Sequence, residues 1–297
     1  MRIGIDLGGT KIAAIALAAN GDTLAFDRVG TPVGNYHATL AAIQALVVSI
    51  EAKTGRTGSV GIGIPGSISA TTELVRNANS VWLIGKPLAR DISTLLDRPV
   101  RIANDANCFA LSESVDGAAM NDRSVFGVIL GTGVGGGLAL DRQVLEGANG
   151  IAGEWGHNSL PWPTLDELPG AECYCGRRGC IETFLSGPAM ARDHFERTGD
   201  RLDAAAIAAG DLAGDRDAAD TLSRYEERLA RALAGIINIV DPDCIVLGGG
   251  VSNVARLYEN IPRLWHRHVF SDHVATKLKP PRHGDAGGVR GAAWLWD

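Results

Sequence analysis

The sequence lacks the features that would tie it to a nucleic acid, a membrane or an oxidising compartment. Its 28 lysines and arginines are outnumbered by 34 aspartates and glutamates, a net charge of −6, so no basic stripe is offered to a phosphodiester backbone. No apolar run reaches bilayer length: the most apolar helical stretch, Leu40 to Ile50, is too short to span. The opening MRIGIDLGG runs directly into a strand without a signal-peptide pattern. These absences predict a cytoplasmic protein that binds neither nucleic acid nor membrane. Cysteine is scarce and odd in number, five in 297 residues, and three of the five crowd into Cys173 to Cys180. That suits metal ligation in a reducing compartment better than disulfides. No G-x-x-x-x-G-K-[ST] occurs, which excludes a Walker P-loop. Gly131, Gly133 and Gly136 do spell G-x-G-x-x-G, but the LALDRQVL that follows reads as a strand and a polar turn, not the helix a dinucleotide site needs.

Glycine, in contrast, is abundant and placed with a pattern. Arg2 to Lys11 (RIGIDLGGTK) and Val125 to Gly137 (VFGVILGTGVGGG) each run from an apolar strand into a glycine turn and out again as a strand. Glycines at such a tip let backbone N–H groups approach an anion closely, the geometry of a phosphate nest. One such turn is as readily a tight hairpin closure; two, each with Thr beside Gly, point to two halves gripping one polyphosphate.

The rest of the chain alternates strands and helices. Three strand-like runs fill residues 2 to 31; Leu40, Ile43, Leu46, Val47 and Ile50 recur at helical spacing; Ser59 to Ile64 is a buried strand. Ser67 to Pro87 reads as an irregular polar loop holding Asn77, Asn79 and Trp82. A helix at Leu88 to Leu96, a strand at Val100 to Ala103 and a helix at Ala106 to Val115 follow. Alternation of this kind implies parallel pairing and an α/β domain. The meander pattern restarts at Arg123, an internal repeat. Gly147 to Glu182 then breaks all periodicity and is too long for an ordinary connector, which marks it as functional. Beyond it come helical segments, a stripe from Leu222 to Val240, a strand Cys244 to Leu247 closed by Gly248-Gly249-Gly250, a helix from about Ser252 and a final helix at Val289 to Trp296. Two α/β domains are expected: 1–117, with the C-terminal segment 288–297 packed on it, and 118–287, which carries the cysteine loop 153–182.

Ile102 to Cys108 (IANDANC) sets Asn104 and Asp105 where a strand gives way to a helix. Asp105 there is either a helix cap or dipole partner, or, at the carboxyl end of a sheet strand, a ligand-side carboxylate able to accept a proton from a hydroxyl. The most specific signal is Gly153 to His157 (GEWGH) followed by Cys173-x-Cys175-Gly-x-x-Gly-Cys180-x-Glu182. Three thiols and an imidazole form a closed four-ligand set for structural Zn2+, the alternative being free thiols. Glu154 and Glu182 flank it, as ligand-side groups or as solvated loop carboxylates. Trp82 and Trp155 read equally as core aromatics or pocket walls. Cys108 and Cys244 lie in apolar surroundings and read as buried thiols.

Taken together, DLGGTK, GIPG, NDAN, GTGVGGG, GEWGH, CYCGRRGCIE and VLGGG resemble the ROK family of bacterial sugar kinases, over essentially the whole chain. The resemblance implies a two-domain actin-like ATPase (ribonuclease H-like) α/β fold with ATP and sugar bound in the interdomain cleft. It assigns ATP phosphates to Asp6, Gly8, Gly9, Thr10 and Lys11 and to Gly131, Thr132 and Gly133, with Asp6 near Mg2+ through water. Gly248, Gly249 and Gly250 would line the adenosine. Asp105 matches the general base; Asn79, Asn104, Asp105, Glu154, His157 and Glu182 match sugar-binding positions; His157, Cys173, Cys175 and Cys180 match the Zn2+ site. A homodimer is implied. Within the family, IPGSIS, NANSVWL, DGAA, GEWGHNSLPW and HGDAGGVRGAAWLW resemble the fructokinase (mannokinase) branch most. The expectation is therefore a fructokinase acting at the 6-hydroxyl of D-fructose, possible further substrates being mannose and glucose. N-acetylglucosamine kinase, which shares NDANCFALSE and HGDAGG, or N-acetylmannosamine kinase is the alternative. A non-catalytic sugar sensor of the same family is a further one. The family's sugar-responsive repressors carry an additional N-terminal helix-turn-helix, for which a first strand at Arg2 leaves no room.

Overall fold

The computed structural model describes residues 1–296; Asp297, the end of the expected C-terminal segment 288–297, lies outside the described residues. Two compact units form, one from Met1–Arg123, Gly137–Ala152 and the chain from Arg282, the other from Ser124–Gly136 and Gly153–Pro281.

The first unit is organised on a five-stranded sheet. β1 (Arg2–Leu7), β2 (Lys11–Leu17) and β3 (Thr23–Gly30) form an antiparallel meander, and β4 (Ser59–Ile64) and β7 (Val100–Asn104) extend it in parallel beside β1, giving the order β3-β2-β1-β4-β7. This is the ribonuclease H-like sheet of an actin-like fold. α1 (Tyr36–Thr54) begins where the Asn35 side chain accepts the Ala38 N–H at 3.0 Å and ends at Gly55, whose φ of 65° suits a residue without Cβ. The stretch expected to be irregular contains a two-residue hairpin, β5 (Ser67–Ile68) with β6 (Val75–Arg76), before α2 (Leu88–Leu96). Ile3, Ile5 and Leu7 pack with Ile43, Val47 and Ile50 of α1 in one core. Each fully buried isoleucine contributes roughly 2 kcal/mol relative to exposure.

The other face of β1 carries Gly4 and Asp6, and against it lies α9 (Gly287–Ala293) at backbone distance. A Cβ on Gly4 would sit 2.0 Å from the Val289 carbonyl oxygen, one on Gly61 1.9 Å from that of Ala292, and one on Gly291 1.6 Å from that of Cys108. Cys108 belongs to α3 (Asp105–Val115), which is buried from Ala106 to Ser114. α9 was expected to run to Trp296. It stops at Ala293 because the tail is drawn onto the sheet: the Trp296 indole N–H donates to the Val60 carbonyl at 2.7 Å and Arg2 donates to the Trp296 carbonyl at 2.9 Å.

In the second unit β8 (Ser124–Leu130), β11 (Cys244–Gly248) and β12 (Lys277–Lys279) run parallel. β9 (Val134–Leu140) begins in this unit and from Gly137 belongs, with β10 (Gln143–Val144), to the first; the hydrogen-bonded strand order is β10-β9-β8-β11-β12. Four helices, α4 (Glu182–Leu185), α5 (Gly187–Thr198), α6 (Ala204–Leu212) and α7 (Arg216–Val240), precede β11. α7 buries the expected stripe through Leu222, Tyr225, Leu229, Leu233 and Ile237. The helix expected from Ser252 is displaced: Gly250–Asn253 is a single 3-10 turn and α8 spans Leu257–Trp265. Its start is delayed by side chains that compete for the backbone, Ser252 Oγ donating to Gly249 O at 2.7 Å and Asn253 Nδ2 to Gly250 O at 3.1 Å.

Gly61→Ala is expected to lower unfolding free energy by roughly 1–3 kcal/mol through overpacking against α9. Gly30→Ala, where a Cβ meets nothing within 4 Å, is its control; a urea midpoint for Gly61→Ala equal to wild type would refute the close-packing argument.

Candidate active site and metal centre

In the first unit the β1–β2 turn is closed by the Gly8 N–H donating to Lys11 O at 3.0 Å. It is braced from β3's end, where Thr31 Oγ donates to Gly8 O at 2.7 Å and the Thr31 N–H to Thr10 O at 3.0 Å. Gly9, Thr10 and Lys11 are exposed at the tip, and a Cβ on Gly9 would meet nothing, so an anion can come up to the main chain there. Asp6 precedes the turn. Burial raises its carboxyl above the ordinary value, with Lys11 pulling the other way.

Asn104 is the N-cap of α3 and is largely occupied by that task. Its Oδ1 accepts the Ala106 N–H at 2.9 Å and the Asn107 N–H at 3.4 Å, while its Nδ2 donates to Gly66 O at 3.1 Å. One amide hydrogen remains for a ligand. Asp105, the first residue of α3, shares the Ala106 N–H through Oδ1 at 2.8 Å. Asp105 thus sits both in the first turn of a helix and at the carboxyl end of β7. Beneath it the buried Cys108 thiol is pushed well above its ordinary value by burial, then by Asp6 and Asp105. Asn79 is exposed on the loop after β6. Trp82 in the same loop is core: it packs on the α1 cluster and its indole donates to Thr39 Oγ at 3.2 Å.

In the second unit the turn after β8 is closed by the Gly131 N–H on Gly133 O at 3.0 Å, and the Gly187 N–H holds Gly131 O at 2.8 Å. Glu182 Oε2 accepts the Val134 N–H at 2.9 Å. Beside Gly131, Thr132 and Gly250 a cavity of about 710 Å³ opens, walled by Ala204, Ala208 and Val254. Gly248 ends β11, and Gly249, at φ 81°, lies where a Cβ would be 2.4 Å from Leu130 O, so only glycine fits. Trp155 is core as well: it meets Phe126 edge to face at 6.0 Å and its indole donates to Gly135 O at 2.9 Å. Glu154, its neighbour, is exposed.

His157, Cys173, Cys175 and Cys180 come together, with one ligand atom from each lying within 4.8 Å of the others. Cys173 Sγ is 3.5 Å from His157 Nδ1 and Cys175 Sγ is 3.6 Å from Cys180 Sγ. A tetrahedral Zn2+ with its usual bond lengths has edges of about 3.5–3.8 Å, so the donor set and spacing fit that ion. Burial, followed by Cys175 and Cys173, pushes the Cys180 thiol up to about 12, a cost that a divalent cation would reverse by binding the thiolate. His157 Nε2 pairs with the Tyr174 hydroxyl at 2.9 Å, which orients the ring with Nδ1 toward the sulfurs. A sugar contact from His157 therefore has to use Nε2 in place of Tyr174.

Three features escaped sequence reasoning. Thr31 is one; the alanine wall of α6 is another. The third is Glu167, buried in the cysteine loop, which accepts from Arg228 Nε at 2.8 Å and from Arg231 at 2.7 and 2.9 Å, both on α7. Arg228 also donates to Asp193 at 2.8 Å. The two arginines lie within α7's buried face, where a periodicity argument expects apolar residues; arginines there were the available signal. Burial by itself would raise the Glu167 carboxyl, but the hydrogen bonds from Arg231 and Arg228 hold it down at about 2.

Known proteins agree with this construction over the full length. The ROK family profile matches residues 2–297. The chain belongs to the ROK family. A crystal structure of a ROK hexokinase from Thermus thermophilus superposes with a TM-score of 0.87 at 31% identity, covering 99% of this chain and 97% of that one. A ROK glucokinase from Streptomyces griseus in complex with glucose and AMPPNP gives 0.81 at 28% identity, covering 99% and 98%. Among curated relatives, an N-acetyl-D-glucosamine kinase from Salmonella paratyphi C is 42% identical over 299 aligned residues, 99% of both chains. This overturns the fructokinase expectation: full-length relatives near 40% identity are named N-acetyl-D-glucosamine kinases. Among the described residues no helix is long and apolar enough to cross a membrane.

A carboxyl depressed from 4.5 to about 2 stabilises the fold above pH about 4.5, and that contribution is lost as pH falls toward 2. Glu167→Gln is expected to cost roughly 3 kcal/mol at pH 7, since it leaves buried arginine charge uncompensated. Urea titrations should show the gap from wild type closing between pH 4.5 and 2; a gap independent of pH would contradict the ion-pair account.

Proposed function

We propose that this ROK sugar kinase is an ATP-dependent N-acetyl-D-glucosamine kinase that phosphorylates the primary hydroxyl of the sugar. The reading rests chiefly on likeness to curated N-acetyl-D-glucosamine kinases along 99% of the chain at 40–42% identity. It is supported by a carboxylate, Asp105, at the carboxyl end of β7, and by two glycine turns, of which Gly9 to Lys11 and Thr132 are exposed.

Phosphoryl transfer asks the protein for alignment and charge compensation more than for covalent chemistry. In this reading Asp105 accepts the proton of the attacking hydroxyl and aims the oxygen. Asn79, Asn104, Glu154, His157 and Glu182 pair with sugar hydroxyls and the acetamide. Gly8 to Lys11 and Gly131 to Gly133 cradle the phosphates, and the cavity beside Gly248 to Gly250 takes the adenosine. Mg2+ carried by ATP would neutralise phosphate charge, with Asp6 holding one of its waters. Zn2+ on His157, Cys173, Cys175 and Cys180 would be structural, fixing Glu154 and Glu182 at the two ends of the loop. Selectivity for the acetamide follows if polar groups built to pair with it stay unsatisfied when a plain hydroxyl is present. A homodimer acting in the cytoplasm completes the proposal.

ADP release by purified protein, measured against N-acetylglucosamine, N-acetylmannosamine, glucose, mannose and fructose, is expected to give the highest kcat/KM for N-acetylglucosamine. Asp105→Asn should lower kcat by about 10²–10⁴ while the sugar KM moves only a few-fold. A plain hexose as the best substrate, or an active Asp105→Asn, would refute the respective half. Cys180→Ser should lower both zinc content by atomic absorption and the thermal midpoint; unchanged zinc content would remove the metal assignment.

A further inference from the structure

Glu182 stands at a junction that sugar binding alone does not require. It is the first residue of α4, and its Oε2 accepts the Val134 N–H at 2.9 Å, directly behind the Gly131–Gly133 turn. A Cβ at position 133 would lie 2.6 Å from that same Oε2, so glycine at 133 is what allows the carboxylate to reach the turn. Among the described residues Oε1 accepts no hydrogen bond, and Glu182 is half-buried, leaving that oxygen open to a ligand. The main chain that carries it is also held. The Ile181 N–H donates to Asn158 O at 2.8 Å, the Thr183 N–H to Cys180 O at 2.8 Å and the Ser186 N–H to Glu182 O at 3.1 Å, so α4 is fixed to the cysteine loop.

We propose that Glu182 is a positioning residue that couples the two substrates, one carboxylate oxygen holding the phosphate turn while the other receives a sugar hydroxyl. This rests on the kinase reading for the identity of the two ligands. A hydroxyl donated to Oε1 draws the carboxylate's charge away from the turn and fixes its orientation. The turn then offers its N–H groups to phosphate with less repulsion from behind. With the sugar site empty, the uncompensated carboxylate behind the turn disfavours the nucleotide, which restrains ATP hydrolysis in the absence of acceptor. Linkage makes the effect mutual: sugar raises nucleotide affinity by the factor that nucleotide raises sugar affinity.

The test is calorimetric binding of AMPPNP to the full chain, with and without the sugar that gives the highest turnover in the panel above. In wild type the sugar is expected to tighten AMPPNP at least about fivefold. Glu182→Gln keeps an acceptor for Val134 but no charge; its sugar-free AMPPNP affinity should rise toward that of sugar-saturated wild type, about fivefold, while the enhancement by saturating sugar collapses toward one. Glu182→Ala loses the brace as well, and sugar-free AMPPNP should bind roughly tenfold more weakly than to Glu182→Gln. Zinc content and thermal midpoint confirm that each variant is folded, and if the alanine variant is not, the glutamine variant decides alone. Sugar enhancement of AMPPNP binding that persists in Glu182→Gln would overturn the proposal, as would a folded Glu182→Ala that binds AMPPNP as tightly as Glu182→Gln. Because the sugar-free measurements do not depend on which hexose is the substrate, failure of the N-acetylglucosamine assignment would show in the panel and not here.

Discussion

Close approach of backbone to backbone, possible only where Cβ is missing, fixes the helix that carries Asp105. Gly291 of α9 brings the main chain of α3 to a distance at which any side chain would collide with Cys108 O. On β9, Gly137 does the same, a Cβ there falling 2.4 Å from Ala106 O. α3 is therefore gripped by main chain on two sides, one turn from its start, and Asn104 caps it. A carboxylate mounted on that turn has little freedom to drift, a constancy that the role proposed for Asp105 requires, since misplacement by about 1 Å can cost on the order of a hundredfold in rate.

The second unit meets a related demand by other means. Its Gly131–Gly133 turn cannot supply its own rigidity, being glycine and threonine, so the surroundings hold it: Gly187 from α5, Glu182 from α4. These elements are steadied in turn by a loop with almost no regular structure. A loop of that length needs external fixing, and it has two anchors, the His157 and cysteine cluster at one place and Glu167 on Arg228 and Arg231 at another. Ion pairs this well buried are retained only when both partners are satisfied.

Much of this was legible in the residues. Glycine turns, the α1 and α7 stripes, the IANDANC strand-to-helix junction and the cysteine knuckle are local patterns, and each is dictated by chemistry within a few residues. The start of α8 was misjudged because two side chains, Ser252 and Asn253, divert the backbone, and the end of α9 because Trp296 is claimed by β4. The Glu167 network was invisible since its partners lie about sixty residues away along the chain. The branch of the family was misread for another reason: hexoses differ by one polar group, and discrimination of that group depends on how each pocket atom is paired, which sequence patterns do not give.

The glycines that lock α9 and α3 to the sheet also partition where change can be absorbed. At Gly4, Gly61, Gly137 and Gly291 a Cβ would collide with main chain, whereas Asn79 and Glu154 stand exposed on loops. Substitution at the first set strains the scaffold; at the second it leaves the scaffold in place. Divergence in such a lineage has to run through its loops, and a shared architecture with many acceptor preferences is the expected long-term outcome.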